Sequence, residues 1–316
     1  MLFILTLCIL FGCKGDAKEG SAAQASTRNP AVTKLPPTGF DGSSAYSYAK
    51  TQVEFGPRVP GTAAAKKAGD WIIQQMRERA DTVIVQSFTH TTADGKKLPL
   101  RNIIARFRPE VTDRVLYVTH WDSRPISDSP SSTEAEKKMP MPGANDGASG
   151  VGMFIALADV LKRQKPVYGV DLLFTDGEDY GQFGPPEVDV LLGSKYFAAH
   201  PPSTNYRPVF GVLWDMIGDK DLRIPYEMNS FQQAPDVVSR VWQTAADMGY
   251  GDVFVQESGG LINDDHMPLL NAGMKVIDVI DLTYPAHHTP YDTMDKISAR
   301  SLATVGDVAA ALVTRR

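Results

Sequence analysis

Residues 172–181 read LLFTDGEDYG, an apolar run that stops abruptly at Asp176, Glu178 and Asp179. A strand this uniformly apolar is buried on both faces, as in a parallel sheet covered by helices. Adjacent buried acids repel one another, and removing them from water is costly unless a cation sits between them. One short stretch therefore asks for a covered sheet and for a positive charge at its carboxyl end.

The same pattern recurs on either side. Residues 114–119, RVLYVT, end at His120-Trp121-Asp122, residues 209–214 end at Asp215-Met216, and residues 275–281 form a fourth buried run. Helical spacing is present over 62–80, 148–163, 234–248 and 298–314, while 82–92 and 98–107 alternate as strands about an Asp94-Gly95 turn. Buried strands alternating with helices predict an α/β chain, a three-layer α/β/α sandwich around a central, mostly parallel mixed sheet.

In such sheets the site lies beyond the carboxyl ends of the strands. There the chain carries His120, Asp146, Glu178, Asp179, Asp215, Asp264 and His288. Imidazole and carboxylate donors without thiolates suit zinc in an open catalytic site, with a neighbouring carboxylate outside the coordination sphere to move protons. Singly, these residues have plainer readings. Asp146 is equally a cap for the helix that follows, and Asp122 and Asp176 read as turn or supporting residues. His287 reads as a neighbour of the ligand His288. His90 and His200 have no acidic company in the sequence and read as structural or surface residues. Trp121 and Phe183 suit either an apolar wall or ordinary packing, and 125–142 and 181–189 read as loops that shape the pocket.

Composition narrows the alternatives. A chain of 316 residues, 43% hydrophobic and 22% charged, describes one large globular domain, and its net charge of −5 leaves no basic footprint for nucleic acid. The two cysteines, Cys8 and Cys13, both lie in the leader, so the body holds no disulfide, cysteine nucleophile or thiolate zinc site. The stretch GASGVG from Gly147 has Val151 where a nucleophile elbow needs glycine, and there is neither a phosphate-cradling loop nor an H-E-x-x-H helix. The leader MLFILTLCILFGC is too short to span a bilayer, and Leu10-Phe11-Gly12-Cys13 resembles a bacterial lipobox. The expected organisation is a lipoprotein signal peptide over 1–12, a flexible tether over 13–40 that begins at a lipidated Cys13, and a zinc-dependent catalytic domain over 41–316. That places the protein in the bacterial cell envelope, lipid-anchored to the membrane and facing the periplasm.

The order of motifs resembles the zinc exopeptidase clan that contains bacterial aminopeptidases and the glutaminyl cyclases: H-x-D, N-D-G, an acidic pair, D-M-I-G, D-H-x-P and H-T. FGPRVPGT from Phe55, THWDSRP from Thr119, GANDGASGVG from Gly143, GEDYG from Gly177 and GSKYF from Gly193 are most similar to the bacterial cyclases. The resemblance implies one zinc held by Asp146, Asp179 and His288, with Glu178 as general acid/base and Asp215 and Asp264 hydrogen-bonding near the substrate. The implied substrate is a peptide or protein N-terminus, its glutamine cyclised to pyroglutamate with release of ammonia. The alternative within the clan is an aminopeptidase with two zincs, Asp146 bridging them and His120 and Asp215 completing the second position. Asp264, where many aminopeptidases carry Ser, and Asp179 in the acidic pair favour the cyclase. His287, where cyclases commonly have Trp, and the H-T-P-x-D form of 288–292 favour the aminopeptidase.

Overall fold

The computed structural model describes residues 34–315. The signal peptide, Cys13 and most of the expected tether lie outside the described residues. The last part of that tether is not loose. Leu35 donates its amide to the Asp247 carbonyl at 2.8 Å, and Thr38 donates its amide and its hydroxyl to Asp307 at 2.9 and 2.5 Å. Thr38 is thereby held against the buried Asp307 carboxylate.

The chain opens with helix α1 (Gly42–Glu54), capped by the Asp41 carboxylate, and α2 (Ala63–Arg77), capped by the Thr62 hydroxyl. Strands β1 (Thr82–Thr91) and β2 (Lys97–Phe107) form an antiparallel hairpin. Then follow β3 (Arg114–His120), α3 (Ala148–Arg163), β4 (Gly169–Thr175), α4 (Leu192–Ala199) and β5 (Phe210–Asp215). A short parallel pair, β6 (Ile224–Tyr226) and β7 (Phe254–Ser258), brackets α5 (Met228–Gln233) and α6 (Pro235–Met248). The chain ends through α7 (His266–Asn271), β8 (Val276–Ile280) and α8 (Ala299–Thr314).

The main sheet has the order β1-β2-β4-β3-β5-β8, with β4, β3, β5 and β8 mutually parallel and the β1–β2 hairpin antiparallel at one edge. Every residue of β3, β4, β5 and β8 is buried. Successive side chains go to opposite faces. Val115, Tyr117, Leu172, Phe174, Val212 and Trp214 pack in the core with α1, α2, α3, α6 and α8, while Leu116, Val118, Leu173 and Leu213 pack with Phe197 of α4 and Leu269 of α7. This is the three-layer sandwich anticipated above.

The connections place the site. From β3 the chain crosses to β4 on one side and later returns to β5 on the other, which opens a crevice at their carboxyl ends. Register aligns those ends: His120 lies opposite Thr175, and Asp215 opposite Ile280.

Candidate metal centre and active site

The carboxyl ends of β4, β5 and β8, together with the loops before α3, α7 and α8, line a cavity of about 550 Å³. Asp146, Glu178, Asp179, Asp215, Asp264 and His288 all line it, joined by His287 at its exposed rim. His120 sits just beneath, its Nε2 3.0 Å from Asp146 Oδ1 and 3.2 Å from Asp215 Oδ1. The structure thus brings together every candidate from the strand ends.

Asp146 is not a helix cap. The N-cap position of α3 is Gly147, whose φ of +88° turns the chain sharply, and a Cβ there would lie 2.7 Å from the Asp122 carbonyl. That turn frees the Asp146 carboxylate to face His120 and His288. Asp292 fixes the turn from below, accepting the amides of Asn145 and Asp146 at 2.8 and 3.1 Å and the Tyr284 hydroxyl at 2.6 Å. Arg58, fully buried, ties the same segment to β3 by donating to the carbonyls of Trp121 and Gly143 at 3.2 and 2.6 Å.

The acidic pair is held in the same manner. Asp122 accepts the amides of Glu178 and Asp179, each at 3.2 Å, so the H-x-D aspartate orients the D-G-E-D turn, and its Oδ1 also lies 3.5 Å from His120 Nδ1. Asp176 accepts the Arg101 amide at 2.9 Å and faces a separate cleft beside Trp121. Trp121 is buried in the core with its ring under Arg101, so it packs and does not wall the site, whereas Phe183 does line the cavity. His200 is exposed and stacks on Tyr196. His90 does have an acidic partner, Asp189 at 2.7 Å, which the fold carries in from 99 residues away; the pair ties the loop 181–189 to β1.

Electrostatics separate the acids. Burial, reinforced by the charges of Asp179 and Asp264, pushes Glu178 well above the usual carboxyl range, against the opposing pull of His120. Burial and the charge of Asp215 do the same to Asp264. Burial also works against ionisation of Asp146, but the His120 hydrogen bond and the charges of His120 and His288 overcome it and hold that carboxyl well below its ordinary value. Burial raises Asp179 to about 7 despite His288. The cavity therefore holds one carboxyl of lowered proton affinity, Asp146, beside three whose proton affinity is raised, Glu178, Asp179 and Asp264.

Two sets of donors converge on one atom scale. Asp146, His287 and His288 each turn one ligand atom to within 4.8 Å of the others, and so do His120, Asp146 and Asp215. Asp179 Oδ1 lies 3.5 Å from His288 Nε2, and its Oδ2 is buried with no hydrogen-bond partner. A buried carboxylate with one unpartnered oxygen, its other oxygen facing an imidazole nitrogen, fits a bound zinc in an all-nitrogen-and-oxygen donor set. His287 enters the first of these sets, where the sequence placed it only as a neighbour.

Several supporting residues were not singled out from the sequence. Arg58 and Arg124 stand inside motifs that were quoted, but a motif does not say what a guanidinium reaches. Asp292 likewise closes the quoted H-T-P-x-D motif, and Asp128 carried no separate signal. Behind the cavity, Glu227 lies 3.3 Å from His266, and both nitrogens of His266 and both oxygens of Asp278 are buried without hydrogen-bond partners.

Comparison with known proteins agrees with this geometry. The structure is similar to that of a glutaminyl cyclase from Bacteroides thetaiotaomicron, with 36% identity, a TM-score of 0.84 and coverage of 89% of this chain and 99% of the other. It is equally similar to a leucine aminopeptidase precursor from the same organism, at 36% identity, a TM-score of 0.84 and coverage of 90% and 99%. A probable zinc metalloprotease from Leptosphaeria maculans is 31% identical over 182 residues, 53% of this chain and 39% of that protein, so the match spans less than half of its length. The model of Peptidase family M28 matches residues 102–313, which include every cavity carboxylate and His288, and the chain belongs to that family of zinc-dependent enzymes.

Proposed function

We propose that this enzyme is a zinc-dependent glutaminyl-peptide cyclotransferase, converting the N-terminal glutamine of peptides to pyroglutamate with release of ammonia. The observation that carries the reading is the third carboxyl group. Asp264 faces the same cavity as Glu178 and Asp215, and burial together with the charge of Asp215 raises its proton affinity. A cavity that holds carboxyls of raised and of lowered proton affinity suits a reaction that moves a proton from one nitrogen of the substrate to another.

Zinc, when bound at Asp146, Asp179 and His288, supplies Lewis acidity toward the γ-amide carbonyl. The substrate's own α-amine is the nucleophile; its nitrogen bonds to the γ-carbon and the bond from that carbon to the amide nitrogen breaks. Glu178 accepts the proton lost by the attacking amine and returns it to the departing nitrogen, which leaves as ammonia. Its raised proton affinity matches both halves of that task. Asp215 and Asp264 orient the amine and amide hydrogens. The apolar side of the cavity, from Phe183, Leu261 and Ile262 to Leu282, excludes water from the reacting centre.

A specific observation supports a second reading. His120, Asp146 and Asp215 form a donor set that shares Asp146 with the first, as a two-zinc aminopeptidase requires. In that case His120, Asp146 and Asp215 would hold the second zinc, the pair of ions would supply Lewis acidity, and Glu178 would serve as general base toward water. Ammonia release decides between them: the zinc-loaded protein supplied with a glutaminyl peptide should release one ammonia per peptide consumed. Consumption of the peptide with free glutamine instead of ammonia would mean hydrolysis.

A further inference from the structure

The metal-binding histidine of the reading above is gripped by the loop 125–142, which the sequence marked only as shaping the pocket. Segment 125–142 contains only a 3-10 turn, Glu136–Lys138, yet Asp128 within it is tightly fixed. Arg124 donates Nε to Asp128 Oδ1 at 2.7 Å and Nη2 to Oδ2 at 2.6 Å, a bidentate pair. The same guanidinium donates Nη1 to Asp179 Oδ1 at 2.6 Å. Asp128 Oδ1 in turn lies 3.3 Å from His288 Nδ1. One residue further, the Ser129 amide donates to the His288 carbonyl at 3.0 Å. His288 has a φ of +55°, a left-handed conformation that costs a non-glycine residue energy and needs such support.

We propose that Asp128, clamped by Arg124, is the positioning residue of His288: it accepts the Nδ1 hydrogen and so leaves the Nε2 lone pair directed into the metal centre. The inference rests on the zinc reading of His288. An imidazole donates one ring nitrogen to a metal only when the other carries the proton, and a carboxylate on that proton fixes both tautomer and ring orientation. The geometry has the required order, since Nδ1 faces Asp128 while Nε2 faces Asp179 and Asp146 at 3.5 and 3.9 Å. Through Nη1 the same arginine also occupies Asp179 Oδ1, which leaves Oδ2 as that residue's free oxygen. Arg124 thus sets two of the three ligands at once.

The test measures zinc affinity by chelator competition in the full-length protein. Wild type is compared with Asp128→Ala, Asp128→Asn and His288→Ala, each checked for folding by the thermal transition of its metal-free form. The expected loss for Asp128→Ala is about 10- to 100-fold in affinity. Asp128→Asn, which keeps an acceptor oxygen, should recover most of that loss. Asp128→Ala within threefold of wild type, while His288→Ala binds far more weakly, would overturn the positioning role alone. Unchanged affinity in His288→Ala would overturn the ligand reading and the positioning role with it. A second measurement does not depend on any variant folding: nitrogen-15 NMR of the zinc-loaded wild type should show the His288 imidazole with its proton on Nδ1 and its Nε2 without one. The Nε2–H tautomer would refute the proposal.

Discussion

Replacing Asp122 with alanine removes the residue that shapes the acidic turn and stands beside His120, while leaving every donor to the metal in the chain. Its two oxygens accept the amides of Glu178 and Asp179, each at 3.2 Å, and all three residues are buried. The alanine variant leaves both amides buried and unpaired, at about 1–3 kcal/mol each, so the metal-free protein should lose about 2–6 kcal/mol of stability. Asparagine keeps one acceptor oxygen and should cost roughly half as much. The same change frees the turn that carries Glu178, and an error of about 1 Å there is enough to lower kcat by about 100-fold. Urea unfolding of the metal-free wild type, Asp122→Asn and Asp122→Ala gives the stability series, and steady-state rates on the zinc forms give the catalytic one. Alanine within about 0.5 kcal/mol of wild type, the ordinary range for a surface change, would refute the assignment of Asp122 as the acceptor that holds the pair.

Other consequences are open to equally direct tests. Glu178→Gln should lower kcat by about 10²–10⁴ while leaving zinc content unchanged, because it removes the proton carrier and no ligand; loss of zinc would make Glu178 a ligand instead. The metal-free protein should become less stable as pH rises from about 4 to 7. Asp292 and Asp179 are raised to about 7 and Asp265 to about 6, in each case chiefly by burial. The folded state then holds protons that the unfolded chain has already released, so stability present at low pH is lost as pH approaches the folded values. His287 shifts the other way but stands exposed at the rim, where solvent screens it. Calorimetry in the presence of chelator should show a melting temperature that falls across this interval, and a rising one would contradict the burial of these acids without a cation. If the lipobox reading of the leader holds, Cys13→Ser should move the protein from the membrane fraction to the soluble one, and unchanged membrane association would exclude it.

How much of this was legible depended on the range over which the physics acts. The four buried strands announced themselves because burial on both faces leaves an unbroken apolar run, and the acids at their ends stood out against it. Helix α1 gave no such signal: its buried face is made of Gly42, Ala45, Ala49 and Gln52, too small and polar to show a period. The short β6, β7 and α7 fell below the length at which any period can be read. Within the site, the ligand and proton-carrier candidates were legible as residue types at strand ends. Their supports were not, since Asp128 reaches His288 and Asp292 reaches Asp146 from more than a hundred residues away, across loops without regular structure. For the same reason His90 seemed to stand alone until the fold brought Asp189 to it.

The cyclase assignment stands or falls on one competition. Equal amounts of Gln-Phe-Ala and Leu-Phe-Ala are given together to the zinc-loaded protein, and the products are resolved by mass spectrometry. Cyclisation predicts that the glutaminyl peptide alone is converted, losing ammonia and keeping all three residues, while the leucyl peptide survives intact. Appearance of free leucine and the dipeptide Phe-Ala would contradict it and make this chain an aminopeptidase.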